Sequence, residues 1–318
     1  MEGGGNMYRY LKLIRYPNLL IVVLTQYLMR WGIVEPMLEV NQFDLQLDAF
    51  HFFLLVLSTV SITGAGYVIN DYFDTHTDLL NRPGEVLVGT QIHRRFAMIF
   101  HLLLSFIGIG LGFYLSFYIG IPYLGLLFLL VSGVLWFYST TYKRQFLLGN
   151  LIVALLTALV PLMVIIFEVP LLNEAYQETL LKNDLNFIYI FYWILAFSAF
   201  AFITNLMREI IKDIEDYEGD RVYGRNSLPV ILGVKASKYI VNFLIIITLA
   251  GLNYLYFKYL QDTVTLIYFS LFLYLPFIFL VTKNMKARSR EDFRYVGNFL
   301  KVVMLLGVLY ALVARYII

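Results

Sequence analysis

The chain has 318 residues, 60 % of them hydrophobic and 14 % charged, with a formal net charge of +2 and no cysteine. So little charge over such a length excludes an ordinary soluble globular protein and identifies a membrane protein. The absence of cysteine excludes a disulfide framework, a cysteine zinc site and thiol chemistry, and so small a net charge makes no case for a nucleic-acid partner.

Residues 1–7 read as a disordered leader, and no cleavable signal peptide is expected, because the first apolar run is part of a span. Nine runs near the twenty residues needed to cross a bilayer follow in chain order, at 18–34, 50–69, 96–118, 121–141, 149–167, 187–207, 239–257, 264–282 and 297–317. The first is interrupted toward its end by Arg30. The expected fold class is all-α, a multi-pass membrane bundle of nine transmembrane helices forming a single domain over 1–318, with two cytoplasmic Asp-rich loop or cap regions. Gly108, Gly110 and Gly112 lie inside the third run with no strand before them, so they read as close helix packing rather than a nucleotide loop. Ser61, Thr63, Gly64, Ala65 and Gly66 read the same way for the second run. His76, His93 and His101 have no ligand-like spacing and are assigned no chemistry.

Basic residues orient the chain. Nineteen of the twenty-four lysines and arginines fall in segments on the side of the N-terminus, whereas the long loops at 35–48 and 168–184 are acidic. By the positive-inside rule the N-terminus is cytoplasmic, and the protein belongs in the cell membrane with its polar caps facing the cytoplasm.

The pattern Asp-x-x-Asp-x-x-x-Asp occurs twice, as Asp71, Asp74, Asp78 and as Asp213, Asp216, Asp220, each member of the second set 142 positions after its counterpart. Positions i, i+3 and i+7 fall within about 60° on a helix, so each set puts three carboxylates on one face. Like charges at that spacing repel, and both sets follow apolar runs, near helix C-termini where the macrodipole also disfavours anions. A bound cation would offset this. Oxygen-only donors favour a hard ion, and Mg²⁺ binds through one or two carboxylates, completing its shell with water and substrate phosphate. The plain alternative is a solvated acidic helix end, which would not repeat the same spacing. Four spans separate the two sets, so helices two and six are expected to bring their acidic ends to one cavity as a parallel internal repeat. Arg82, Arg94, Arg95, Lys143, Arg144, Lys212, Arg221 and Arg225 surround the acidic sets in sequence and are candidates to hold phosphate oxygens. Topology alone also accounts for such basic loops.

The stretch Asn70-Asp71-Tyr72-Phe73-Asp74-Thr75-His76-Thr77-Asp78 with Asn81-Arg82-Pro83, and the stretch Arg208-Glu209-Ile210-Ile211-Lys212-Asp213-Ile214-Glu215-Asp216-Tyr217-Glu218-Gly219-Asp220, resemble the two signature regions of the UbiA superfamily of intramembrane prenyltransferases. The resemblance extends to Arg15-Tyr16-Pro17-Asn18, Lys143, Gly149-Asn150 and Leu228-Pro229. It implies Mg²⁺-dependent transfer of a polyprenyl group from its diphosphate to a lipophilic acceptor, with lipid and the two substrates as partners and no obligate protein partner. By the same resemblance, Asp71, Asp74, Asp213 and Asp216 are metal ligands, and Asn70 orients them. Asp78 and Asp220 stand behind them or near the acceptor. Lys143, Arg82 and Lys212 hold diphosphate, and Arg15, Asn18, Arg94, Arg95, Arg144 and Arg221 are further substrate-binding candidates.

One departure stands out. Where many members continue after Asn-Arg-Pro with a second Arg-Pro, this chain has Gly84-Glu85-Val86-Leu87-Val88-Gly89, leaving Arg94 and Arg95 as substitutes for a lost basic contact. The second signature region is most similar to the branch that alkylates geranylgeranylglyceryl phosphate in ether-lipid synthesis. The alternatives are an aromatic acid acceptor in quinone biosynthesis, a member that cyclises its prenyl substrate without an acceptor, and, from another class, a cation-coupled secondary transporter. The last is disfavoured because the carboxylates sit at span ends rather than at mid-span breaks.

Overall fold

The computed structural model describes residues 3–81 and 84–318, with side chains from residue 7. Among the described residues, nine helices are long and apolar enough to cross a membrane: α1 Tyr16–Glu39, α2 Ala49–Asn81, α3 Arg94–Tyr118, α4 Pro122–Thr140, α5 Leu148–Ala175, α6 Ile188–Glu215, α7 Val234–Leu260, α8 Thr263–Lys286 and α9 Arg290–Ile317. The all-α membrane fold therefore stands as expected. Arg30 does not end the first span; the helix passes it in a wider π turn over Arg30–Val34 and continues. The backbone is helical from Gly3 in a separate helix, Gly3–Leu13, so the disordered leader expected for residues 1–7 is corrected from Gly3 onward. Apolar Leu13 at that helix's end is fully buried and anchors it.

The clearest correction concerns the acidic regions. Helix α2 runs to Asn81 and α6 to Glu215, well past the apolar runs that ended at 69 and 207. The first Asp-rich region is thus not a loop but the last three turns of a spanning helix. Polar residues sustain that extension because their side chains find partners, as described below.

Two compact units make up the chain, one of residues 1–26, 45–143 and 166–185, the other of 27–44, 144–165 and 186–318. In the first, Asp48 caps α2 by accepting the amides of Phe50 and His51 at 2.9 and 3.1 Å. Helices α2 and α3 meet at small residues. A Cβ on Gly108 would stand 2.5 Å from Ile62 and 3.0 Å from the Ser58 carbonyl, and one on Gly112 would stand 2.3 Å from the Phe128 ring of α4. Ser58 uses the closeness at Gly108 to donate to its carbonyl at 2.6 Å. Gly110, on the other face, has nothing within 4 Å. Gly108→Ala is therefore expected to destabilise by about 1–3 kcal/mol through overpacking, whereas Gly110→Ala is neutral or stabilising by up to about 1 kcal/mol through helix propensity. Thermal unfolding in detergent checks the contrast. Beneath the acidic end of α2, a small core of Leu13, Val68, Leu87, Val88, Ile92 and Ala97 fastens the loop after residue 84 to the N-terminal helix.

In the second unit α9 packs along α6, with Gly307 under the Phe200 ring, where a Cβ would stand 2.1 Å away. Gly32 in the π turn of α1 lies against the Ala311 carbonyl in the same way, at 2.6 Å. A capping box of Ser289 and Asp292 starts α9, which fixes the position of Arg290 at its first turn.

Candidate active site

Each unit carries one aspartate set. In the first unit, α2 places Asn70 and Asp74 one turn apart, with Lys143 reaching them from the short turn Tyr142–Arg144 beyond α4. The lysine Nζ lies 2.8 Å from Asp74 Oδ1 and donates to Asn70 Oδ1 at 3.3 Å. Both partners of the ion pair are nearly sealed from solvent, at 5 % and 9 % exposure. A buried pair of this kind is worth little over an apolar pair of equal volume, but it leaves a costly uncompensated charge when one member is removed.

Asp71 faces a different cation. Arg15 sits between the N-terminal helix and α1 with a left-handed φ of 53°, a conformation that non-glycine residues adopt only when their surroundings hold them there. Its guanidinium is what holds it. Nη2 is 2.7 Å from Asp71 Oδ1 and the charge lies 4.9 Å over the Tyr67 ring, while Asn18 donates to the Tyr67 hydroxyl at 3.4 Å. Burial alone would lower the Arg15 pKa, but the fields of Asp71, Tyr67 and Asp78 outweigh it and push the value up, so this arginine stays charged. Asp78 is half-buried one turn past Asp74.

In the second unit the three aspartates do not share one helix. Asp213 is inside α6, Asp216 is the residue at which that helix ends, and Asp220 belongs to the short helix Tyr217–Val222. The single-face geometry read from the spacing is corrected for this set, because the chain turns at Asp216, whose φ and ψ are −94° and 8°. Asn150, near the start of α5, donates to Asp213 Oδ2 at 2.7 Å. Arg290 Nη2 approaches Asp216 Oδ1 at 3.4 Å and Arg294 pairs with neighbouring Glu215 at 3.0 Å. Asp220 is buried beside Arg225, at 3.5 Å. Burial pushes the Asp220 pKa up to about 6 and the nearby Asp216 adds to the rise, with Arg225, the Ser227 hydroxyl and Lys212 opposing it.

The remaining candidates are placed less centrally. Lys212 is half-buried within the field of Asp220. Arg144 and Arg221 are exposed, and the Arg144 carbonyl accepts the Asn226 amide at 3.1 Å. Arg94 and Arg95 are exposed too, and Arg94 lies 4.2 Å over the Tyr72 ring while donating to the Tyr72 carbonyl at 3.3 Å. The departure after residue 83 has a structural use, since Leu87 and Val88 belong to the core under α2 and Val86 is buried as well. Arg82 lies outside the described residues. Arg290 and Tyr67 were not singled out in the sequence, and Asn150 was noted only as part of the resemblance. Only the position of Arg290 in the first turn of a span could have drawn attention to it.

Chemically, each set offers carboxylate and amide oxygens together with movable cations. Among the described residues, no three carboxylate or histidine side chains converge as a ready-made cage. That donor set fits Mg²⁺, which keeps several waters and takes one or two carboxylates plus phosphate oxygens rather than an all-protein shell.

Comparison with known proteins agrees with this chemistry. The profile of the UbiA prenyltransferase family matches residues 42–305. The digeranylgeranylglyceryl phosphate synthase of Methanosphaera stadtmanae is 31 % identical over 249 residues, covering 77 % of this chain and 80 % of its own. That of Methanothermobacter thermautotrophicus is 29 % identical over 300 residues, covering 93 % and 92 %. Among solved structures, a digeranylgeranylglyceryl phosphate synthase superposes with a TM-score of 0.63 at 23 % identity over 97 % of this chain and 98 % of that one. A UbiA homolog from Archaeoglobus fulgidus, bound to DMAPP and Mg²⁺, superposes with a TM-score of 0.59 at 16 % identity over 98 % and 100 %.

Proposed function

Because this chain belongs to the UbiA prenyltransferase family, we propose that it transfers a geranylgeranyl group from its diphosphate to geranylgeranylglyceryl phosphate in a Mg²⁺-dependent reaction. The observation that carries the acceptor is the likeness to synthases of that name over most of both chains. The activity belongs to residues 1–318 acting as one domain, in keeping with a family match that draws on both compact units. The acidic ends face the cytoplasm, a reading supported by the distribution of lysine and arginine.

Asp71, Asp74, Asp213 and Asp216 are the residues that would hold the metal, with Asn70 and Asn150 orienting them. When bound, Mg²⁺ supplies the charge neutralisation that lets the diphosphate leave. The chain's own cations do the rest of the binding. Lys143, Arg15 and Arg290 now lie against aspartates, at 2.8, 2.7 and 3.4 Å, and are placed to turn to phosphate oxygens once those carboxylates are otherwise engaged. Lys212 adds a charge beside them. Asp78 and Asp220 stand back from the metal and serve the acceptor side. Apolar helices around these polar ends keep water from the allylic carbon, where it would compete with the acceptor hydroxyl.

The test is product analysis with purified protein in detergent, given geranylgeranyl diphosphate and Mg²⁺. Ether product with geranylgeranylglyceryl phosphate, abolished by chelation and restored by Mg²⁺, is expected. Product with 4-hydroxybenzoate or dihydroxynaphthoate alone would move the acceptor to the quinone class. No product and no metal-dependent binding of the diphosphate would overturn the transferase reading in favour of transport.

A further inference from the structure

A second basic site lies apart from the aspartates, in the unit formed by the C-terminal helices. The start of α7, the end of α8 and the start of α9 frame a half-open cavity of about 420 Å³. Its lining includes Lys235, Lys238 and Arg288 together with Tyr239, Met285 and Phe293. Lys238 fixes the frame. Its ammonium donates to the Met285 and Ala287 carbonyls at 2.7 and 2.9 Å, capping α8, and sits 5.8 Å from the centre of the Phe293 ring. Lys235 and Arg288 are exposed at the rim. Asp292, whose field also reaches Lys238, is engaged by the backbone amides of Arg288 and Ser289 at 2.8 Å each. Among the described residues, no acidic side chain lines the cavity.

We propose that this cavity binds the phosphate headgroup of an anionic membrane lipid. Three cations around one concave site attract a phosphate, and arginine can grip it with two donors. The aromatic and thioether side chains in the lining decide between a lipid and a free anion. A soluble phosphate has no use for Tyr239, Met285 and Phe293, whereas a lipid brings its glycerol and first acyl carbons against them. The location agrees, because all three helices enter their apolar spans at this level, and basic pockets between spanning helices at that depth suit such headgroups. A lipid held here would bridge three helices, and α9 carries Arg290 to Asp216.

The test is native mass spectrometry of the full chain, delipidated and then offered phosphatidylglycerol or phosphatidylcholine. Retention of a phosphatidylglycerol molecule is expected, with affinity lowered about thirtyfold in Lys235→Gln/Arg288→Gln, the equivalent of about 1 kcal/mol for each of two basic residues near the lipid surface. The variant Lys283→Gln/Lys286→Gln removes the same number of charges nearby but outside the cavity, and should bind as the unmodified chain does. Equal loss in both variants, or equal retention of the two lipids, would overturn the proposal in favour of general surface attraction. Displacement of the lipid by millimolar inorganic phosphate would overturn the lipid assignment. Circular dichroism checks that each variant is folded, and Lys235→Gln alone replaces the double variant if it is not.

Discussion

Asp74→Asn is expected to lower kcat/KM for prenyl transfer by about 10²–10³-fold, the range seen when a preorganised charged group at a reacting centre is lost. It is also expected to cost stability, because Lys143 would be left with its charge buried beside Asn70 and without the carboxylate 2.8 Å away. Breaking such a pair costs about 3–5 kcal/mol when both members are as enclosed as these. The two effects separate in a double variant. Asp74→Asn/Lys143→Met removes the stranded charge and should regain most of the lost thermal stability. If the pair were only structural, activity would return with it. On the proposed roles activity stays low, since a metal ligand and a phosphate-binding cation have both gone. Thermal melts and initial rates on the same preparations decide the matter; recovery of both would remove these two residues from the chemistry.

The sequence was legible where physics acts locally. Long apolar runs can only be spanning helices in such a chain, so each of the nine expected runs lies, give or take a residue at its ends, within a spanning helix among the described residues, although several helices extend well beyond them. The glycines of α3 were readable as packing positions, and Gly108 and Gly112 do receive Ile62 and Phe128. Gly110 does not, because spacing cannot say which glycine faces a neighbour. Helix ends were misread for a related reason. Hydropathy stops at 69 and 207, whereas the helices continue because Arg15, Lys143 and Asn150, far away in sequence, satisfy their polar turns. The same blindness to distant partners hid Arg290 and the break at Asp216. Arg94 illustrates the converse: a basic residue close to the acidic set in sequence spends its charge on the Tyr72 ring.

The break at Asp216 leads to the second large effect. Asp213→Asn is expected to reduce kcat/KM by about 10³-fold, and Asp220→Asn by about tenfold or less, although both belong to the same repeated motif. Asp213 is held on the rigid part of α6, with one carboxylate oxygen fixed by Asn150 at 2.7 Å. It keeps a second oxygen for a metal, and a ligand on a regular helix is positioned more accurately than one beyond a turn. Asp220 is carried past the turn, buried against Arg225 and the Ser227 hydroxyl. An amide there keeps the hydrogen-bonding shape and loses only a charge that burial already disfavours. The readouts are kcat/KM and the Mg²⁺ concentration giving half-maximal rate, which should rise for Asp213→Asn and remain unchanged for Asp220→Asn. Equal losses with equal shifts in Mg²⁺ dependence would mean that Asp213 and Asp220 both act on the metal and that the turn at Asp216 does not divide their roles.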